Sequence, residues 1–285
     1  MKRVLVLGSE GQIGRSLCYH LEKEGYKVRQ FDMNAERGPA RGDLRFPHVI
    51  TNLLPHYDFC FFLAFDVGGS TYLAKHQQTK EFLDNNNKIM LNTFESLSYR
   101  KTPFIFASSQ MSNMAHSPYG LLKAIGEQYT RVLGGLTVKF WNVYGTETDP
   151  EKTHVITDFI RMARAGCIRM KTDGTEERQF LHADDASAAL ETVMLKYGEI
   201  SAESPLHITS FEWTRILNVA HLISCFENCV LEVGSHPDSI QGVRNEPDRG
   251  ILQYWKPKIT LEEGIKRLWN DSLLTPVESG DKVAP

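Results

Sequence analysis

Tyr119 and Lys123 stand four residues apart in the run Ser117-Pro118-Tyr119-Gly120-Leu121-Leu122-Lys123, a spacing that puts both side chains on one face of a helix. An ammonium beside a phenol favours the phenolate, so the pair is expected to draw the phenol down from its ordinary pKa of about 10. Tyr119 can then give or take the proton of a hydroxyl while a hydride leaves or reaches the same carbon. Ser109 closes the apolar run that starts at Pro103, and its hydroxyl can donate to the same oxygen. A tyrosine and a lysine at this spacing also decorate many solvated helices. A second motif makes them specific.

That motif is Gly8, Gly11 and Gly14, which follow the apolar run Arg3 to Leu7 and open a stretch with Ile13, Leu17 and Leu21 at helical spacing. A strand, a glycine turn and a helix in that order let the backbone approach a pyrophosphate closely, with the helix N-terminus supplying free N–H groups. Asp32 lies 18 residues after Gly14, where Lys27 to Phe31 reads as a second strand. A carboxylate there accepts hydrogen bonds from an adenosine ribose and repels a 2′-phosphate, which favours NAD over NADP. Arg29 and Arg37 flank it and weigh the other way.

The two motifs need a scaffold, and the composition supplies an ordinary globular one. The chain has 285 residues, 41 % hydrophobic and 24 % charged, with a formal net charge of -3. No basic stripe suggests nucleic-acid binding, and no window approaches the ~20 apolar residues of a membrane span. The apolar run at the N-terminus is too short for a secretion signal and is broken by glycine. Cys18, Cys60, Cys167, Cys225 and Cys229 are scattered and odd in number, which argues for reduced thiols in a cytoplasmic protein. Cys225 and Cys229 have no second pair or histidine cluster to complete a metal site, so no metal is expected.

Further strands are expected at Phe59 to Leu63, Pro103 to Ala107 and Leu136 to Trp141, with helix-compatible stretches at 46–55, 72–99 and 117–132. Continuous apolar strands alternating with helices indicate a parallel sheet covered on both faces. After Tyr144 the alternation loosens. The expected division is a nucleotide-binding domain over 1–145 with 180–205 returning to it. A substrate-binding lobe covers 146–179 and 206–272, and a tail over 273–285 is expected to fray.

With these pieces in order, the chain resembles the extended short-chain dehydrogenase/reductases, the NAD-dependent epimerases and dehydratases of nucleotide sugars. The matching segments run over most of the sequence: residues 8–14, Asp32, Gly42-Asp43-Leu44, Leu63-Ala64-Phe65, residues 106–109 and 117–123, Asn142-Val143-Tyr144-Gly145, residues 178–185 and residues 255–264. The resemblance implies an α/β fold, a Rossmann doubly wound parallel sheet with a smaller mixed α/β lobe. It also implies that Ser109, Tyr119 and Lys123 are catalytic, the last two also touching the cofactor, NAD. Gly8, Gly11, Gln12, Ile13, Gly14 and Asp32 would hold that cofactor. Asp43 and Leu44 would lie near its adenine, and Leu63, Ala64 and Phe65 near its diphosphate and ribose. Asn86 matches an asparagine of the long helix, although Asn85-Asn86-Asn87 blurs the register. Ser109, Asn142, Arg178 and Arg249 would bind the nucleotide sugar, the arginines through phosphate and ribose oxygens. Helix pairs in this family often build dimers, and the apolar positions of 86–98 and 121–132 permit a homodimer.

Departures narrow the activity. Only Gln110 to His116 separate the serine strand from the tyrosine helix, where the family has a longer loop over the sugar. The pocket is therefore expected to be more open, or closed by another segment. Gln110 and Met111 stand where the dehydratases carry an Asp-Glu pair, and Met111 also replaces the cysteine of 3,5-epimerising members. What remains is chemistry at one carbinol carbon, as in a 4-epimerase or a 4-ketoreductase. The competing reading is a catalytically silent member that binds nucleotide and regulates a partner.

Overall fold

The computed structural model describes residues 2–36, 38, 40–237 and 244–274. Arg37 lies outside them, as does nearly all of the tail. The first half alternates as expected: β1 (Arg3–Leu7), α1 (Gln12–Lys23), β2 (Lys27–Phe31), α2 (Pro47–Leu53), β3 (Phe59–Phe62), α3 (Ser70–His76), α4 (Lys80–Arg100), β4 (Phe104–Ser109), α5 (Pro118–Val132) and β5 (Leu136–Phe140). Shorter elements follow: β6 (Asn142–Tyr144), α6 (Val155–Arg164), β7 (Cys167–Arg169), β8 (Glu177–Arg178), β9 (Phe180–His182), α7 (Ala183–Leu195), β10 (Leu206–Ile208), β11 (Thr214–Arg215), α8 (Ile216–Glu227), β12 (Val230–Glu232) and α9 (Leu261–Leu274). The helical stretch expected over 72–99 is broken in two. Thr79 starts a new helix there, its side chain accepting from the Phe82 N–H, which satisfies one of the free donors of the first turn.

Six strands form one parallel sheet in the order β10-β5-β4-β3-β1-β2. The order reverses between β1 and β3, so the crevice at their carboxyl ends is the natural place for a ligand. Alternate residues of β1 feed two cores. Val4 and Val6 pack with Leu17, Leu21 and Leu190 of α1 and α7, while Leu5 and Leu7 pack with Phe94, Leu97 and Leu122 of α4 and α5. Burying each such side chain stabilises the fold by about 1.5–3 kcal/mol. A third cluster gathers Phe159, Ile160, Ile168, Val219, Ile223 and Trp269, and we take it as the core of the second lobe.

Within the segment 206–272, expected in that lobe, two parts pack on the large sheet. Leu206–Ile208 adds the edge strand β10 beside β5, and Ile251 and Trp255 pack into the first core. A three-residue strand is too short to carry a readable pattern. Among the described residues no helix is long and apolar enough to cross a membrane.

Candidate active site

A cleft of about 1400 Å³ runs across the carboxyl ends of the sheet. At one end lies the glycine turn. Gly8 has φ +88°, and a Cβ there would meet the Ala64 N at 2.7 Å; one on Gly14 would meet the Gly8 carbonyl oxygen at 2.0 Å. Only glycine lets β1, α1 and the loop after β3 approach this closely. Helix α1 opens on Gly11 with no side chain capping its first turn, so an anion can take those donors. Gly8, Gly11, Gln12, Ile13 and Gly14 all line the cleft. The Gln12 amide, oriented to satisfy both of its groups, donates to the Val143 carbonyl at 2.9 Å and accepts from the Gly145 N–H at 3.1 Å.

Asp32 stands at the end of β2 and accepts from the Glu10 N–H at 3.1 Å and the Asn34 N–H at 2.9 Å. Each carboxylate oxygen keeps further acceptor capacity for a ribose. Asp43 and Leu44 border the cleft nearby. Arg45 grips Asp43 through Nε at 3.0 Å and Nη2 at 2.7 Å, which holds the Asp43 carboxyl below the usual range. These residues fit a dinucleotide: a close backbone, an uncapped helix start and a carboxylate on the cleft at the end of β2.

Leu63, Ala64 and Phe65 line the same wall, but Asn86 does not. Its side chain is fully buried. It accepts from the Asp66 N–H at 2.7 Å and donates to the carbonyls of Asp66 at 3.1 Å and Phe82 at 3.0 Å. Asn86 therefore fixes the cofactor-side loop from behind. Its neighbour Asn85 is the one on the cleft, accepting from Arg45 at 2.9 Å and donating to Asp66 at 3.1 Å. The three consecutive asparagines hid this one-residue difference.

At the inner end, β4 delivers Ser109 and α5 delivers Tyr119 and Lys123. Ser117 caps α5 by accepting from the Gly120 N–H at 3.1 Å, and Pro118 occupies its first turn. A Cβ on Gly120 would meet the Met111 carbonyl oxygen at 2.1 Å, so the short loop lies directly against the helix. Tyr119 and Ser109 both line the cleft, and Ser109 favours the ionised form of the phenol. Lys123 donates from Nζ to the Ala107 carbonyl at 2.7 Å and lies 3.7 Å from the centre of the Phe65 ring.

Burial works against the expected acidification of the phenol: it pushes Tyr119 up to about 12, with Ser109 opposing. Burial likewise pulls Lys123 down to about 7, against the pull of Glu127. In a dry site the loss of hydration acts on both charged forms, and the lysine spends a donor on the Ala107 carbonyl.

Asn142, at the start of β6, and Arg178, on β8, also line the cleft, Arg178 with Nη1 donating to the Glu177 carbonyl at 2.8 Å. Arg249 does not reach it. It is exposed, and its guanidinium lies 5.7 Å from the centre of the Phe211 ring. The preceding Asp248 is held under β10, its N–H donating to His207 Nδ1 at 2.6 Å. That anchor turns the segment away from the cleft.

The shortened loop is backed by this same segment. Asn245 donates to the Gln110 carbonyl at 3.1 Å and to its side-chain oxygen at 2.8 Å. Gln110 is thus turned inward, while Met111 lines the cleft. Other cleft residues had no motif to mark them. His154 pairs through Nδ1 with Glu147, and Lys152 bonds Asp66 at 2.9 Å. Lys171 reaches Thr71 at 2.9 Å. Only the density of acids and bases in residues 147–154 hinted at them. Among the described residues no group of three or more His, Cys, Asp or Glu side chains comes together to hold a metal.

Residues 4–208 match the model of the NAD dependent epimerase/dehydratase family. The GDP-L-fucose synthase of Sinorhizobium fredii is 24 % identical, over 93 % of this chain and 94 % of that protein. The structure of UDP-glucose 4-epimerase from Thermotoga maritima, solved with UDP-glucose, superposes with a TM-score of 0.81 at 20 % identity, covering 95 % of this chain and 99 % of that one. A GDP-6-OMe-4-keto-L-xylo-heptose reductase from C. jejuni gives a TM-score of 0.81 at 16 % identity, covering 95 % and 97 %.

Proposed function

Because the chain belongs to the NAD-dependent epimerase/dehydratase family, we propose that it interconverts a hydroxyl and a ketone on the sugar of a nucleotide sugar, at C4, as an epimerase or a ketoreductase. One observation carries the reading: the glycine turn with Asp32 and the Ser109–Tyr119–Lys123 group border a single cleft. NAD, when bound, supplies the hydride acceptor or donor. Gly8 to Gly14 bind its diphosphate, Asp32 its adenosine ribose, and Asp43 and Leu44 the adenine side. Ser109 orients the substrate oxygen, and Tyr119 holds or receives its proton. Asn142 and Arg178 hold the diphosphate and nucleoside, a planar guanidinium suiting their oxygens. The relatives named for GDP- and UDP-sugars support the substrate class. We further propose that the protein works as a homodimer in the cytoplasm, where its free cysteines stay reduced.

The test is a screen of UDP-, GDP-, CDP- and dTDP-sugars and their 4-keto derivatives, with the NAD content of the protein measured and products read by NMR. An epimerase inverts C4 with no net change in NADH. A ketoreductase consumes one NADH per product. Protein loaded with NAD that binds a nucleotide sugar and converts none would favour the silent regulatory reading instead.

A further inference from the structure

Three consecutive residues at the end of β4 face α5. The Ala107 carbonyl accepts from Lys123 at 2.7 Å, the Ser108 hydroxyl donates to Glu127 at 2.5 Å, and Ser109 borders the cleft with Tyr119. On the helix these partners recur every fourth residue and form one stripe. Two members of that stripe are the candidate catalytic pair. The third, Glu127, has no part in the chemistry described so far, yet its side chain is only 13 % exposed. Its carboxylate also meets Lys139 Nζ at 3.2 Å, an ammonium 8 % exposed on β5, beside the edge strand β10. Lys139 reaches onward to the Asn113 side-chain oxygen at 3.2 Å, in the short loop after Ser109.

A carboxylate loses much of its hydration in such a place and stays ionised only with charged and hydrogen-bonding partners. Here one carboxylate pairs with Lys139 and stands one helical turn from Lys123. The groups around Lys123 are Tyr119 and Glu127 on its own helix, the Ala107 carbonyl and Ser108 on β4, and the Phe65 ring above it. Lys139 on β5 lies beyond Glu127, and His207 stands opposite Lys139 in the β10–β5 register. Against α4 the helix meets an uncharged contact, Phe94 stacked on Tyr129. Among the described residues, Glu127 is the carboxylate bonded to Ser108 and Lys139 beside this pair.

We propose that Glu127 is a positioning residue for the Tyr119–Lys123 pair: its carboxylate, anchored by Ser108 and Lys139, keeps the Lys123 ammonium charged in a dry interior and fixes the α5 stripe against the end of β4. The inference rests on the catalytic role assigned to that pair. Burial lowers Lys123 and Glu127 raises it, so loss of the carboxylate should make the ammonium disappear at lower pH.

The experiment follows the Lys123 Nζ resonance in full-length protein labelled with [15N]lysine, assigned by its loss in Lys123→Arg. Glu127→Gln keeps the size and an acceptor for Ser108 but removes the charge. Its Lys123 midpoint should fall by about one pH unit or more. A second arm uses Glu127→Gln combined with Lys139→Met, which relieves the stranded lysine charge. The double variant should recover thermal stability while kcat stays ~10–10²-fold below the parent, at unchanged NAD affinity. An ion pair of purely structural value predicts full recovery of kcat. An unmoved Lys123 midpoint, or a fully active double variant, overturns the proposal. If Glu127→Gln alone does not fold, the double variant carries both measurements. A parent that converts no nucleotide sugar defeats the functional reading, and the titration arm still decides on Glu127.

Discussion

Tyr119 and Lys123 face the same buried space, and burial moves their proton affinities apart, the phenol up to about 12 and the lysine down to about 7. Through the neutral range the phenol therefore keeps its proton, the form that can donate to a ketone oxygen. Running the reaction toward the ketone requires the same oxygen to take a proton up, and Ser109 favours the phenolate that does so. Tyr119→Phe removes one hydroxyl from a packed position and leaves the glycine turn and Asp32 untouched. We expect an unchanged fold and NAD affinity, with turnover lower by ~10²–10⁴-fold. Ser109→Ala should cost less than this if the serine only orients the oxygen. Steady-state kinetics on a nucleotide sugar that the parent converts decides it, and full activity in Tyr119→Phe would end the proposed mechanism.

Elements differ in how openly the sequence declares them. The strands β1, β3 and β4 are apolar on both faces, and the glycines between β1 and α1 are forced by backbone contacts that no other residue tolerates. Both were therefore legible, and so was the bordering of the cleft by Asp32, Ser109, Tyr119, Lys123, Asn142 and Arg178. Burial depth was not legible, because a Tyr and Lys on one helical face read the same whether dry or wet. The register of Asn85 and Asn86 was hidden by repetition, and Arg249 by an anchor formed 41 residues away in sequence, between Asp248 and His207. That anchor lies on β10, an element too short to foresee, and it has a consequence for stability. Burial, with Lys139 nearby, pulls His207 down to about 4, below the ordinary histidine value of about 6.5. As pH falls from about 6.5 to 4 the unfolded chain takes up this proton first, so folding stability drops across that window. Replacing His207 by Gln, which keeps an acceptor for the Asp248 N–H, should flatten the decline. Urea unfolding midpoints at pH 7 and pH 4.5 measure it; an equal decline in both proteins would remove His207 as a cause.

The two faces of α5 set the site against the outside of the molecule. Its inner stripe, Tyr119, Lys123 and Glu127, is committed to the cleft and the end of β4. Its outer stripe, Leu121, Ile125, Tyr129 and Val132, is apolar and exposed, with Val132 78 % accessible. A solvated helix normally turns charge outward along such a stripe. The neighbouring α4 adds exposed Leu91 and Tyr99 to the same side, and the two helices are joined by the Phe94–Tyr129 stack. A contiguous apolar patch of this kind on a water-facing surface marks a contact with another protein. We propose that a second copy of the same helix pair covers it about a two-fold axis, the arrangement of closed symmetric dimers. The consequence for the site is mechanical: any contact that steadies α5 from outside steadies Tyr119 on its inner face. We therefore expect a dimer in analytical ultracentrifugation at micromolar concentration. Ile125→Glu should weaken it by roughly 10²-fold or more, equivalent to about 3 kcal/mol for a charge placed in an apolar contact. The same change leaves the glycine turn alone, so NAD affinity should be unaltered while kcat falls with the dimer fraction. A parent that sediments as a monomer, or a dimer indifferent to Ile125→Glu, would exclude this face as the interface.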